Sequence, residues 1–357
     1  DWSSDVCSSD LAWHPQINGV VRSLESLAKH IEQLGVNVDF LTPLEFFSIP
    51  MPGYREIHLA CVTPKAIRRS LEKNYDHIHI ATEGPIGLIM RNECLRTGRC
   101  FTTSFHTLFP EYLNARYGVP LKVSYALLRK FHNASAGTMV STASLAQDLN
   151  TRGFQNLLRW SRGVDHDLFT PKAKKSLDFP RPIFLYVGRL AIEKNIEAFL
   201  TLDLPGSKLV VGEGPSREQL EHKFPDAYFL GVKTGEELAS IYASADVFVF
   251  PSRTDTFGMV LLEALSSGLP IAAYPVTGPV DVIGSSGAGI LSENLAHAAS
   301  RALEIPRERS RNHALTFSWK YCAQQFLDNI KYARATSKGR EPELKNLSLR
   351  EFENIPA

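Results

Sequence analysis

Cysteine, net charge and long apolar runs are all scarce in this sequence, and each scarcity removes a class of function. The five cysteines, Cys7, Cys61, Cys94, Cys100 and Cys322, are odd in number and scattered. With no C-x-x-C pair and no histidine at zinc-ligand spacing they read as reduced, mostly buried thiols, neither a disulfide framework nor a metal set. Lys plus Arg number 39 against 38 for Asp plus Glu, leaving a net charge of +1 and no bulk field to hold nucleic acid. No run approaches the roughly 18 apolar residues of a membrane-spanning helix, and the N-terminus lacks the charged-then-apolar build of a signal peptide. The expectation is a cytoplasmic chain, or one peripheral on a membrane. No repeat of fixed period occurs.

What is present is an ordinary globular composition, 44% hydrophobic and 22% charged with 23 Gly and 21 Pro among 357 residues. At roughly 150 residues per domain, two domains are expected. Short β-branched or aromatic runs alternate with helical stretches: residues 38–42, 57–62, 77–81, 100–106 and 137–141, then 183–187, 209–212, 228–231, 247–250 and 271–274. That alternation predicts an α/β fold of two Rossmann-like, doubly wound halves. The halves are placed at 12–169 and 170–317, followed by a helix over 318–335 and a polar tail over 336–357.

The first eleven residues fit poorly. DWSSDVCSSDL has no amphipathic period, yet a loop, an amphipathic helix carrying Val20, Val21, Leu24, Leu27 and Ile31, and a strand from Val36 follow it, so a strand is needed just upstream of Trp13. The peptide resembles the in-frame translation of a common sequencing adapter. On that reading residues 1–11 are extraneous and the first strand is missing.

The chemistry concentrates at residues 247–280. A strand ends at Pro251, a polar loop holds Asp255 and Thr256, and a helix is expected from Phe257 through Gly258, Met259 and Val260 to a stop at Gly268. Its first turn leaves backbone N–H groups open to an anion. Glu263 lies roughly 7.5 Å along the axis and about 140° around it from Gly258, in the apolar run MVLLEAL where a carboxylate needs a partner. That pairing suits a nucleoside diphosphate and its ribose, with Asp255 reaching another part of the ligand.

These residues resemble the E-x7-E region of retaining GT-B glycosyltransferases of family 4, with Asp255 in the first Glu position, shorter by one methylene. Gly188-Arg189-Leu190-Ala191-Ile192-Glu193-Lys194-Asn195 resembles the family's GRLxxEKN motif, in which Arg189 and Lys194 clamp the two phosphates and replace a divalent metal. Gly212-Glu213-Gly214-Pro215 resembles the GxGP loop near the base. It is not a dinucleotide fingerprint, because Arg217 stands where the third glycine belongs. The resemblance also implies that His106, at a strand end, lies beside the donor sugar and acceptor, and that Asn18-Gly19 occupies the place of the glycine-rich phosphate loop. Arg162-Gly163-Val164-Asp165 with Phe169 resembles the GVDxxxF passage between domains, so Asp165-His166-Asp167 reads as a loop or cap, not as a metal-binding DxD. Phe317-Ser318-Trp319 resembles the start of a C-terminal helix crossing back to the first domain.

The implied activity is sugar transfer from a nucleotide-diphosphate sugar with retention, without cofactor or metal, by His106, Asp255, Arg189 and Lys194. Residues 64–73 and 121–131 mix Lys and Arg with apolar side chains, as a membrane-facing surface or an ordinary core-facing helix would. With TEGPIGL, FPEYLNAR and WSRGVD, which resemble bacterial mannosyl- and sulfoquinovosyl-type transferases, they point to a lipid acceptor such as diacylglycerol at the inner face of the plasma membrane. A nucleotide-sugar epimerase and a non-catalytic nucleotide-sugar binding protein are the alternatives.

Overall fold

The computed structural model describes residues 5–9, 19–51 and 54–338. It divides into two units, one running to Arg162 and taking in the helix that starts at Trp319, the other Gly163–Ser318. The division falls ahead of the expected boundary after Phe169.

In the first unit the strands are β1 (Asp5–Ser9), β2 (Asn37–Leu41), β3 (Ser48–Met51), β4 (Tyr54–Ala60), β5 (His77–Ile80), β6 (Phe101–Phe105), β7 (Gly137–Val140) and β8 (Leu157–Arg159). Its helices are α1 (Gly19–Glu32), α2 (Pro64–Ser70), α3 (Pro85–Thr97), α4 (Phe109–Tyr117), α5 (Leu121–His132) and α6 (Ala143–Thr151). Six strands form a parallel sheet in the order β2-β1-β5-β6-β7-β8. The run at 57–62, expected in that sheet, instead belongs to an antiparallel hairpin of β3 and β4.

In the described structure Asp5–Ser9 occupies the position where a strand is needed. It lies between β2 and β5, with Cys7 paired to Asp39 and Ile78. A ladder is made by main-chain N–H and C=O groups, so a short segment without proline can fill the slot whatever its apolar pattern. The expected amphipathic stripe holds: α1 buries Val21, Leu24, Leu27 and Ile31.

The second unit contains β9 (Ile183–Val187), β10 (Ser207–Val211), β11 (Tyr228–Phe229), β12 (Val247–Phe250), β13 (Ile271–Ala273) and β14 (Gly289–Leu291). Between and after them run α7 (Glu197–Leu200), α8 (Arg217–Lys223), α9 (Gly235–Ser244), α10 (Met259–Ser266), α11 (Pro279–Ile283), α12 (Leu295–Ala302) and α13 (Arg307–Ala314). The parallel order β11-β10-β9-β12-β13-β14 reverses direction between β9 and β12, the place where open α/β sheets leave a crevice beyond their carboxyl ends. β9 and β12 are buried along their whole length, which is why their sequences run IFLYV and VFVF without alternation.

Helix α14 (Trp319–Ser337) buries Trp319, Cys322, Ala323, Phe326, Leu327 and Ile330, the spacing of one helical face. It joins the first unit through Asn329 Nδ2 donating to the Arg159 carbonyl (2.7 Å), Gln325 Oε1 accepting from Ser161 N (2.7 Å), and Trp319 stacked on His30 of α1 at 6.4 Å. Among the described residues, no helix is long and apolar enough to cross a membrane.

Candidate functional site

Three loops meet beyond the carboxyl ends of β9, β10 and β12. Main-chain bonds zip the first to the second: Gly188 N donates to Val211 O (3.0 Å), Leu190 N to Glu213 O (2.8 Å) and Ser216 N to Leu190 O (3.0 Å). This contact explains two glycines of the G-E-G-P run. A Cβ on Gly212 would sit 1.9 Å from Gly188 O, and one on Gly214 would sit 2.3 Å from Leu190 O. Main chain fills the space that any side chain would need.

The first loop is also fastened to the third. Residues Ile192–Lys194 form a 3-10 turn that ends at Asn195 in the left-handed region, φ 52°. Asn195 Nδ2 donates to the Pro251 carbonyl (3.1 Å), Thr254 Oγ1 donates to the Glu193 carbonyl (3.2 Å), and the Lys194 ammonium pairs with Asp255 Oδ1. The other carboxylate oxygen of Asp255 is buried with no hydrogen-bond partner among the described residues. Arg189, on the same loop, is half-buried, and Tyr186 Oη donates to its carbonyl (3.0 Å).

Gly258 precedes α10 with φ 83°, a left-handed turn that suits glycine. Met259 and Val260 open the helix half-buried, whereas the Phe257 ring lies in the core, only 6% exposed. At Phe257, then, main chain alone can meet a ligand. Gly268 takes the left-handed conformation expected at the helix stop (φ 73°). Glu263, 7% exposed, accepts a hydrogen bond at Oε2 from Tyr242 Oη at 3.0 Å. This is the partner that a carboxylate in an apolar run requires. Tyr242 was missed from sequence, where it reads as one more apolar residue of ELASIYASA; only the unexplained charge of Glu263 hinted at it.

The remaining candidates lie elsewhere. Asn18 is outside the described residues, and Gly19 opens α1, exposed, in the first unit. His106 follows β6 in the first unit, its Nδ1 3.1 Å from Arg162 Nη2. Burial first and the Arg162 charge second hold its pKa well below the ordinary imidazole value. Asp165 Oδ1 accepts from the N–H groups of Asp167 (3.1 Å) and Leu168 (2.9 Å), as a local turn does. A surface concavity of about 520 Å³ lined by Ser286, Pro306, Glu308, Arg309, Asn312 and His313 contains none of the candidates.

In comparison with known proteins, each of the two units is matched by a family model. A model described as "Glycosyltransferase Family 4" matches residues 17–168, and one described as "Glycosyl transferases group 1" matches residues 181–305. Sulfoquinovosyl transferase SQD2 of Arabidopsis thaliana is 30% identical over 303 residues, covering 75% of this chain; the chain spans 58% of that relative's length. A GDP-mannose-dependent alpha-mannosyltransferase of Mycobacterium tuberculosis is 29% identical, with 90% of this chain and 94% of the relative covered. A solved sucrose-phosphate synthase of Thermosynechococcus elongatus superposes with TM-score 0.76 at 21% identity, over 93% of this chain and all of that one, which establishes the GT-B fold. With the two matched ranges together taking in most of its length, the chain belongs to the family 4, group 1 glycosyltransferases.

Proposed function

We propose that this glycosyltransferase moves a sugar from a nucleotide-diphosphate donor to an acceptor hydroxyl with retention of anomeric configuration, using neither a metal nor another cofactor. The observation that carries the reading is the convergence of Arg189, the Lys194–Asp255 pair and the start of α10 at the β9/β12 reversal, with Glu263 buried behind them. Arg189, Lys194 and the first N–H groups of α10 supply positive potential for a leaving diphosphate. An ammonium carries three donors, so Lys194 can hold Asp255 and a phosphate oxygen together. The unsatisfied oxygen of Asp255 is an acceptor for a sugar hydroxyl, Glu263 accepts from the ribose, and His106 is the histidine that the family resemblance assigns to the sugar. The departing diphosphate takes the proton of the incoming hydroxyl.

Arg189→Ala should lower turnover on the order of a hundredfold or more, the usual loss when a charge-stabilising donor is removed. The measurement is diphosphate release across a panel of GDP- and UDP-sugars, with GDP-mannose first because a relative's name specifies it. Turnover equal to the parent's would sink the assignment.

For the acceptor, a membrane lipid fits the exposed surface of the first unit. α5 turns Val123 and Leu127 to solvent, 52% and 66% exposed, among exposed Lys122, Arg129 and Lys130. α3 lies beside it, Arg91 Nη2 donating to the Lys130 carbonyl at 2.9 Å, and shows Leu88 and Leu95. Apolar side chains ringed by cations suit the cytoplasmic face of an anionic membrane. Vesicles of anionic phospholipid should sediment the protein, and salt should release it; no sedimentation at low salt would remove the lipid reading.

A further inference from the structure

We propose that Arg162 is a positioning residue for His106: it holds the imidazole neutral with its proton on Nε2, so that the ring offers the donor sugar a hydrogen-bond donor of fixed direction. The inference rests on the reading of His106 as a sugar-facing residue.

The geometry leaves the Arg162–His106 bond one direction. Arg162 is 4% exposed, and its Nη2 lies 3.1 Å from His106 Nδ1. A guanidinium has donors and no acceptor and does not lose its charge in proteins. The arginine therefore donates and Nδ1 accepts. A ring nitrogen that accepts carries no proton, and a neutral imidazole has one, which must lie on Nε2. The doubly protonated ring would set N–H against N–H beside a cation.

Arg162 itself is held firmly. Nη1 donates to the carbonyls of Trp160 (2.8 Å) and Ser161 (2.9 Å), and the guanidinium carbon stands 4.0 Å from the centroid of the Trp160 ring. That indole is anchored in turn, Nε1 donating to Cys322 Sγ of α14 at 3.1 Å, and its ring packs edge-on to His106 at 5.8 Å. The other titratable groups acting on His106 are His79 of β5 and His132 of α5. Both are imidazoles, and neither supplies the negative charge that would favour an imidazolium. Among the described residues no carboxylate pairs with Arg162. Burial lowers the Arg162 pKa to about 10, which leaves the charge intact at neutral pH. Burying a guanidinium without a counter-ion is expensive. A hydrophobic side chain would fill the same volume at lower cost, so the cation has a task beyond packing.

The test is nitrogen-15 spectroscopy of histidine-labelled full-length protein between pH 5 and 8, with His106 assigned by the resonances that vanish in His106→Gln. The Nε2–H tautomer, unchanged across that range, is the expected result. Arg162→Met should let His106 mix tautomers and should raise its pKa, though not to the ordinary imidazole value, because burial, the larger cause, stays in place. Turnover should then fall roughly a hundredfold with little change in donor KM, and an acid limb should appear in the rate profile. Arg162→Lys, still a donor without an acceptor, should restore the tautomer and most of the rate. An Nδ1–H tautomer or a titrating His106 in the parent protein overturns the proposal whether or not any variant folds. A folded Arg162→Met with the parent's tautomer and pH profile overturns it too. The expected tautomer together with full activity in His106→Gln would support the lock and instead remove the sugar-facing reading of His106.

Discussion

The two sheets of this molecule share a layout and differ in what lines them. In the second unit the central strands β9 and β12 are apolar throughout, and the polar groups sit in the loops beyond their ends. In the first unit a polar network runs through the buried strands. Thr102 Oγ1 lies 2.8 Å from both His77 Nε2 and His79 Nδ1, and Ser104 Oγ lies 2.9 Å from His79 Nε2. Nearby, His132 bridges Thr103 Oγ1 and Glu83 Oε1, each at 2.9 Å. One doubly wound architecture is thus built once around apolar central strands and once around buried strands that carry imidazoles and hydroxyls.

The largest effect expected from that difference is acid sensitivity confined to the first unit. Burial, the leading cause in each case, holds His77 and His106 well below the ordinary imidazole range and His79 at about 3. In the unfolded chain these rings take up protons near pH 6.5. Below that pH the unfolded state binds more protons than the folded one, so stability is full above about 6.5 and is lost as pH falls toward the folded values. The loss is roughly 1 kcal/mol per pH unit for each ring. In the second unit His166 is displaced the same way, burial again leading. No tryptophan falls within 163–318, and Trp160 and Trp319 belong to the first unit, so the emission carries no signal from the second unit while far-ultraviolet dichroism reports both. On acidification the emission should change while a large part of the dichroism persists. Coincident transitions would show that the two cores do not differ as described.

A substitution sharpens the same point. Thr102→Val keeps the shape of the side chain and withdraws the one hydroxyl that two buried imidazoles share. Leaving both ring nitrogens unmet should lower stability by roughly 3 kcal/mol, read from the urea midpoint with the slope unchanged. A loss below about 1 kcal/mol, the net worth of an ordinary hydrogen bond, would mean that the network repairs itself.

How much of this was legible in the residues follows the same division. The strands Ile183–Val187 and Val247–Phe250 stood out because continuous apolar runs bounded by glycine or proline admit few other readings, and the chemistry of the second unit lies in loops contiguous in sequence. The first unit hid more. His77 and His79 look polar, yet β5 is buried along its length; only the hydroxyls of β6, a separate segment, make that burial tolerable. Part of β4 was readable as the run 57–62, but the four-residue β3 and the three-residue strands β8 and β14 carry too few residues to show a period. β1 offered no apolar pattern at all, and what pointed to it was the demand of the helix and strand that follow. Arg162 and Tyr242 were opaque because their meaning is a partner 56 positions away for one and 21 for the other.

Tyr242 provides the smallest effect and the most discriminating one. Its hydroxyl is a polar contact buried beside the loops of the second unit, donated to Glu263 Oε2. Tyr242→Phe removes that donor without disturbing the ring, which packs edge-on to Phe169 at 5.8 Å. A hydrogen bond to a charged group is worth about 2 kcal/mol, so the melting temperature should drop by a few degrees, less than for Thr102→Val. The two variants should part in binding. Thr102 serves only the first core, whereas the Tyr242 hydroxyl orients the carboxylate assigned to the ribose. Calorimetric titration with GDP and UDP should therefore give a several-fold weaker Kd for Tyr242→Phe and an unchanged one for Thr102→Val. Equal affinities in the two variants would leave Glu263 a structural carboxylate and move the ribose contact to another residue.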